Sequence, residues 1–250
     1  MAALSLPTQR LFSPNKGELH SLRERITSPE ARAVADDIRF RLGQKNYPCI
    51  AALRSYHKDD YQVGFYGKFG TGETWRELRN DLLFFLEEQK RSGSIYLTFW
   101  ATFAPQEMSE EEFEASLWRE LSFLTSEEEK DLDWKPGATT NPQDEAFRFS
   151  LGGTEFFVVG LHSQSSRVAR RFSRPALIFN VFDQFEQLEK LGQYESMVKV
   201  NRDRDIKFQG QVNPMVEAHG EKWETIQLSG RQNEKKWKCP FHFLWKNQKP

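Results

Sequence analysis

The sequence predicts an α+β fold: a single domain in which an aromatic-rich, mainly antiparallel sheet carries flanking helices. Three observations predict it. Strand-like apolar runs are joined locally, across the polar "HKDD" and at Gly152-Gly153, in the manner of hairpins. Helical patterns gather towards the start instead of alternating with every strand. The chain also holds 21 Phe and 7 Trp in 250 residues, far more aromatic surface than a disordered chain carries, so these rings must be buried or bind something.

In chain order, the first forty residues read as helical. Ser28-Pro29-Glu30 supplies a capping serine and a first-turn proline, and Gly43 a stop. Residues 1–45 are thus expected to be a helical segment packed on a core of 46–245. "YPCIAALRSY" and "YQVGFYGKF" read as paired strands. Thr74 and Glu77 make a capping box for "WRELRNDLLFFLEEQKR", where Trp75, Leu78, Leu82, Phe85 and Leu86 keep a helical period. "SIYLTFWATF" is too apolar for an edge strand, and Ser109 with Glu112 caps "EEFEASLWRELSFL". The acidic stretch "TSEEEKDLDWKPGATTNPQDE" is a loop of about twenty residues, long enough for a lid or an insertion. "FRFSLGGTEFFVVGLH" is a hairpin, "PALIFNVF" a buried strand and "DQFEQLEKLGQYESMVKV" a helix. The last fifty residues lose periodicity and read as ordered loops and short elements.

Charge and composition exclude several classes. A net charge of −1 gives no overall reason to expect nucleic acid or a membrane surface as partner. No apolar run approaches the roughly 18 to 20 residues that cross a bilayer. The start lacks the pattern of a signal peptide, and two cysteines make no disulfide framework, so a soluble, cytoplasmic protein is expected. No Walker loop, dinucleotide fingerprint, GxSxG, HExxH or CxxC is present; "GKFGTGETW" matches neither phosphate-loop spacing and reads as a turn before a capped helix.

Three groups of residues are candidates for chemistry. His162 ends the apolar run "EFFVVGLH" and faces a loop, a position suited to a ligand or base; a hydrogen-bonded structural histidine is the equal alternative. Arg167, Arg170, Arg171 and Arg174 follow directly and would share one face of a helix, an anion site if they are not merely a solvated face paired with glutamates. Cys49 and Cys239, the two cysteines of the chain, sit in mirrored contexts, Tyr47-Pro48-Cys49 and Cys239-Pro240-Phe241. Each could be a thiolate ligand, a redox thiol or a buried hydrophobe.

"YPCIAA" near the start and "KCPFHF" at the end enclose "GGTEFFVVGLHSQSSRVARRFSRPALIFN", "QFEQLEKLGQYESM" and "QGQVNPMVEAHG…SGR". Together, from about residue 46 to residue 243, these blocks resemble the FPC/CPF-motif proteins, the YqcI/YcgG family. Some members, of the guanitoxin-pathway type, are haem-dependent oxygenases that N-hydroxylate guanidine groups; many others have no established role. The resemblance implies haem b and a monooxygenase that N-hydroxylates a guanidine or amine of a small arginine-like metabolite. It implies His162 as the proximal iron ligand, with Cys49 or Cys239 as thiolate rivals. Arg167, Arg170 and Arg171 would hold the propionates, and Glu217 or Asp183 would face the cationic substrate. Electrons would come from an external reductase or ferredoxin, since no flavin or nicotinamide motif is present. The alternatives are a non-catalytic haem or anionic-ligand carrier or sensor, and a thiol-redox protein using Cys49 and Cys239. The last requires their Cα atoms within about 7 Å. The chain departs from the family pattern at Tyr47, in place of Phe, and at Ser163, where relatives often have Pro. Phe182 stands where many carry His, which bears on whether haem would be held in the same way.

Overall fold

The computed structural model describes residues 6–126, 134–215, 224–234 and 236–244. The strands are β1 (Leu11–Asn15), β2 (Glu18–Ser21), β3 (Tyr61–Tyr66), β4 (Thr98–Phe103), β5 (Phe149–Leu151), β6 (Thr154–Leu161) and β7 (Ala176–Val181). They form one sheet in the order β2-β1-β3-β4-β7-β6-β5. β3 and β4 are parallel, and the other pairs are antiparallel, as the sequence predicts. Six helices accompany them among the described residues: α1 (Pro29–Leu42), α2 (Ile50–His57), α3 (Trp75–Ser92), α4 (Glu110–Phe123), α5 (Asp183–Lys190) and α6 (Tyr194–Gln209).

Strand alternation divides the core in two. Val63, Trp100, Ile178 and Val159 stand side by side across β3, β4, β7 and β6 and face α1 and α2, where Ala31, Val34, Ile38 and Leu42 cover them. The next row, Gly64, Ala101, Leu177 and Gly160, faces the other way. On that side lie Leu78, Leu82 and Phe85 of α3 and Phe113, Leu117 and Leu121 of α4. The C-terminal Cys239 and Phe241 complete this second layer with Phe147, Phe149 and Trp134.

Several local signals act as read. Ser28 caps α1, its side chain accepting from Ala31 N, and Ser109 and Glu112 form a reciprocal capping box on α4. Others are overridden. Residues 11–21 are a hairpin and not helix; Lys16 and Gly17 both take positive φ (53° and 84°), the geometry of a two-residue turn. "IAALRSYH" is the helix α2, so the expected hairpin across "HKDD" does not exist. Its alanines favour helix, and an apolar run of this length carries no decisive period. Thr74 makes no cap on α3; its hydroxyl accepts from Gly67 N at 3.0 Å instead. The expected helix over 183–200 is two, α5 and α6, broken at Gly192. Residues 127–133 of the long acidic loop lie outside the described residues. Of the remainder, Trp134 is buried, its indole N–H donating to Thr139 O, while most of residues 136–145 are exposed.

The glycine-rich turn between β3 and α3 has its amides occupied from within. Phe69 N donates to Gln106, Lys68 N to Glu73, and Gly70 N to the buried Glu120 of α4 at 2.9 Å. Burial pushes the Glu120 carboxyl up from its ordinary 4.5 to about 7, against the pull of the Gly70 and Gly72 amides. A folded pKa above the unfolded one contributes stability that is full below the unfolded value and lost as pH rises through the folded value. Urea unfolding between about pH 5 and pH 8 should therefore show wild-type stability falling by up to about 3 kcal/mol relative to Glu120→Gln. Parallel profiles for the two proteins would show that Glu120 does not titrate in this range.

Candidate functional site

The site begins where β6 ends. Alternation along β6 puts Gly160 and His162 on the α4 face, and the ring of Phe113 occupies the space beside them. A Cβ on residue 160 would lie 2.6 Å from Phe113 Cε1, so only glycine lets the ring come this close. Phe113 stacks on the His162 imidazole with centroids 4.3 Å apart and planes 15° apart. His162 is 1% exposed, and neither Nδ1 nor Nε2 has a hydrogen-bond partner. Burial lowers its pKa, opposed by the Glu110 charge and reinforced by Arg170. At neutral pH it is an uncharged imidazole with a free lone pair, able to bind a metal ion or accept a proton.

The backbone holds this imidazole in place. His162 N donates to Arg170 O at 3.1 Å, and His162 O accepts from Phe172 N at 3.3 Å, so the loop closes on itself. Glu110, at the start of α4, accepts from both Ser166 N and Ser166 Oγ and pins the loop to the helix. Ser165 Oγ is buried beside His162 in sequence and also lacks a partner.

The four arginines do not share a helical face. The loop has a single 3-10 turn at Val168–Arg170, and the guanidiniums fan apart to separate partners. Arg167 Nη2 lies 2.6 and 2.5 Å from the two oxygens of Asp205 on α6, while its Nη1 is buried without a partner. Arg170 donates to the carbonyls of Gly160, Gln227 and Leu228, and burial pushes its pKa down to about 10. Arg174 pairs with Glu30. Arg171 is exposed and donates its Nε to Ser165 O. The sequence showed the cluster but not these partners, which lie elsewhere in the chain.

The remaining candidates are scattered. Cys49 caps α2, its Sγ accepting from Ala52 N at 3.4 Å, and packs on the α1/α2 face of the sheet. Cys239 is buried on the α3/α4 face, so the sheet separates the two thiols and the disulfide geometry required of a redox pair is not met. Burial raises both thiol pKa values, that of Cys239 to about 12. Asp183 begins α5, 3.5 Å from Lys135 Nζ. Since Leu161 pairs with Ala176 and Phe156 with Val181, it stands at the far end of β6 and β7 from His162. That is roughly 17 Å along the strands. Glu217 lies outside the described residues.

Two surface depressions stand out. One of 480 Å³ lies between α4 and the C-terminal segment, lined by Glu111, Glu114, Trp118, Arg119, Pro240 and His242. The other, of 300 Å³, lies on α6 around Tyr194 and Arg202. Neither is lined by His162. Among the described residues no group of three or more His, Cys, Asp or Glu is placed to hold a metal ion, and no described helix is long and apolar enough to cross a membrane. Phe113, Gly160, Glu110 and Asp205 are the residues that sequence reasoning did not single out. Phe113 reads as one more apolar position on an amphipathic helix, and the glycine as one more strand residue.

The Arg167–Asp205 ion pair ties the loop to α6, beside Gln209, which accepts from Val168 N and donates to Ser166 O. Arg167→Met should cost about 3 to 5 kcal/mol in urea unfolding, because it leaves a buried carboxylate unpaired. A loss below about 1 kcal/mol would mean that solvent reaches Asp205 freely.

No curated protein and no solved structure matches this sequence. A family comparison does find a match, from α1 to the segment that carries Cys239. The YqcI/YcgG family model covers residues 38–242, and the chain belongs to that family.

Proposed function

We propose that this member of the family is a haem-dependent monooxygenase that N-hydroxylates a guanidine or amine group of a small arginine-like metabolite. The observation that carries the reading is His162: a buried, neutral imidazole with both ring nitrogens unpartnered, fixed by the backbone at the end of a strand. Such a nitrogen is the donor that haem iron takes from a protein. The thiols suit the role less well, because burial holds both in the protonated form.

The surroundings fit haem in part. Arg170 is committed to backbone carbonyls, Arg174 to Glu30 and Arg167 Nη2 to Asp205, so the exposed Arg171 and the left-over Arg167 Nη1 are the groups that would meet a propionate. Haem, when bound, would supply oxygen activation at its iron, with electrons from an external reductase or ferredoxin. The chain's own residues supply the rest. His162 would offer the nitrogen that holds the iron, and the apolar wall around Phe113 would exclude water. Glu110, whose charge acts on His162, offers a carboxylate to a cationic substrate. Asp183 is too far along the sheet to do so, and Glu217 remains a candidate on its sequence position.

Haem titration of the purified protein tests the reading. A Soret band should develop to one equivalent, disappear in His162→Ala, and persist in Cys49→Ala and Cys239→Ala. No band in the wild type would overturn the proposal. Substrate-dependent oxygen consumption with a reductase separates the oxygenase from a non-catalytic haem or anionic-ligand carrier, which would bind without turnover.

A further inference from the structure

We infer that Arg41 and Arg171 form a binding site for an oxyanion, a carboxylate or phosphate group, where α1 meets the loop that follows β6. The site is separate from the iron ligand proposed above and does not depend on haem being bound.

The buried stripe of α1 runs through Ala31, Val34 and Ile38 and then reaches Arg41, where the period calls for another apolar residue. A cation in the last turn suits the helix dipole, but Arg39 already supplies one from the exposed face. Arg41 is 8% exposed. Its Nη1 donates to Val168 O at 3.3 Å, and the same carbonyl accepts from Arg171 N at 3.1 Å. The guanidinium of one arginine thus sits against the backbone of the other.

Both side chains are short of acceptors. A guanidinium carries five N–H donors. Among the described residues Arg41 finds an acceptor in Val168 O alone, and Arg171 in Ser165 O alone, to which its Nε donates at 2.8 Å. Arg41 Nε is buried with no partner. The ion-pair partner of Arg41 is Asp37, whose Oδ1 stays 3.8 Å from Nη2, beyond hydrogen-bond reach. Asp37 Oδ2 accepts from Ser173 N at 2.9 Å instead. Phe172 lies 5.7 Å from the Arg41 guanidinium, a contact that favours the charge without taking its in-plane N–H groups. The shortage is not general to this loop, because Arg170, next to Arg171, meets three carbonyls.

The two charges feel each other. Burial pushes the Arg41 pKa down, Asp37 and Tyr47 oppose the fall, and Arg171 adds to it. Two guanidiniums are therefore held together beside a carboxylate that hydrogen-bonds to neither. Nε and Nη2 form the side edge of a guanidinium, the edge that meets two oxygens of one anion with parallel bonds. On Arg41 that edge carries no hydrogen bond, and on the exposed Arg171 both Nη groups are spare. An oxyanion between them would supply acceptors to both and offset the repulsion.

The test titrates inorganic phosphate, and separately acetate, into the purified protein at constant ionic strength. The readout is the Arg41 Nε–H signal in proton–nitrogen correlation spectra, assigned by its loss in Arg41→Lys. Each anion should move this signal along a saturating curve. Arg171→Gln, a change at an exposed side chain, should weaken binding by about tenfold or more. Asp37→Asn keeps an acceptor for Ser173 N and removes the competing charge, so binding should tighten by about threefold or more. Arg91→Gln removes an exposed charge on α3 and should leave the affinity within about twofold of wild type.

No saturating shift with either anion would overturn the site. So would equal weakening by Arg91→Gln, which would mark attraction to net charge alone. A last arm identifies the source of the oxyanion. Displacement of phosphate by haem, but not by its dimethyl ester, would show that the site takes a propionate. Phosphate and haem bound together would show that it takes the phosphate or carboxylate of a separate metabolite. Absence of haem binding would defeat the oxygenase reading alone, because the phosphate titration needs no haem.

Discussion

Arg170 donates from Nη1 to the carbonyls of Gly160 and Leu228 at 3.1 and 3.0 Å, and from Nη2 to Gln227 at 3.2 Å. Burying a guanidinium is tolerated when its donors are met, and three carbonyls here take three of its five N–H groups. Its pKa of about 10 leaves it charged at neutral pH. The cost of burying that charge binds three parts of the chain to one another. β5 pairs with β6 only as far as Phe156, and beyond it the free edge of β6 is taken up by Gly160 N donating to Leu228 O at 2.8 Å. Arg170 locks that junction and offers its own carbonyl to His162 N. The orientation of the imidazole therefore depends on a side chain eight residues later. It depends also on a segment more than sixty residues later, and Gly230 keeps that segment close: a Cβ there would lie 3.2 Å from Arg170 Cγ.

The mirrored cysteine motifs acquire meaning from the same junction. Tyr47 packs against Phe208 and donates its hydroxyl to Ala169 O, so the first motif braces the arginine loop from the α1/α2 side of the sheet. Cys239 O accepts from Gln143 Nε2, and Phe241 packs among Trp118, Trp134 and Phe147 on the other side. Glu114 holds the chain leading to this second motif. Its buried carboxylate accepts from Ser229, Arg231 and Asn233, three donors within five residues. The two motifs are braces on opposite faces of one sheet; the Cys49 thiol caps α2, and the Cys239 thiol is buried in the core.

What could be read in the sequence was what short-range physics decides. The Ser28 and Ser109 caps act within one helical turn, and the Gly152-Gly153 hairpin within four residues. The two faces of β6 and β7 follow from alternation. The failures have a common origin. "IAALRSYH" is a helix because Cys49 caps it and Asn201, far along the chain, accepts from Ile50 N. Thr74 looked like a cap, but Gly67 N had the stronger claim on its hydroxyl. At the site the pattern repeats. A histidine at a strand end was visible as a candidate, whereas Asp205 as the partner of Arg167 and Phe113 as the cover of His162 are contacts across 38 and 49 residues. No local propensity encodes them.

The distribution of unmet polar atoms argues that this end of the sheet does more than pack. His162 Nδ1 and Nε2, Ser165 Oγ and Arg167 Nη1 are all buried and unpartnered, and all fall within six consecutive residues. The loop around them is otherwise well bonded, through Glu110, Asp205, Gln209 and the carbonyls that hold Arg170. Leaving one buried polar group unpaired costs about 1 to 3 kcal/mol. A leucine at position 162 would stack on Phe113 without that cost, so fold stability alone gives no reason for an imidazole here. The imbalance makes sense if the missing partner comes from outside the chain. On the haem reading, His162 would stay neutral and covered until iron takes one of its nitrogens, and the stability forgone without it would be recovered on binding.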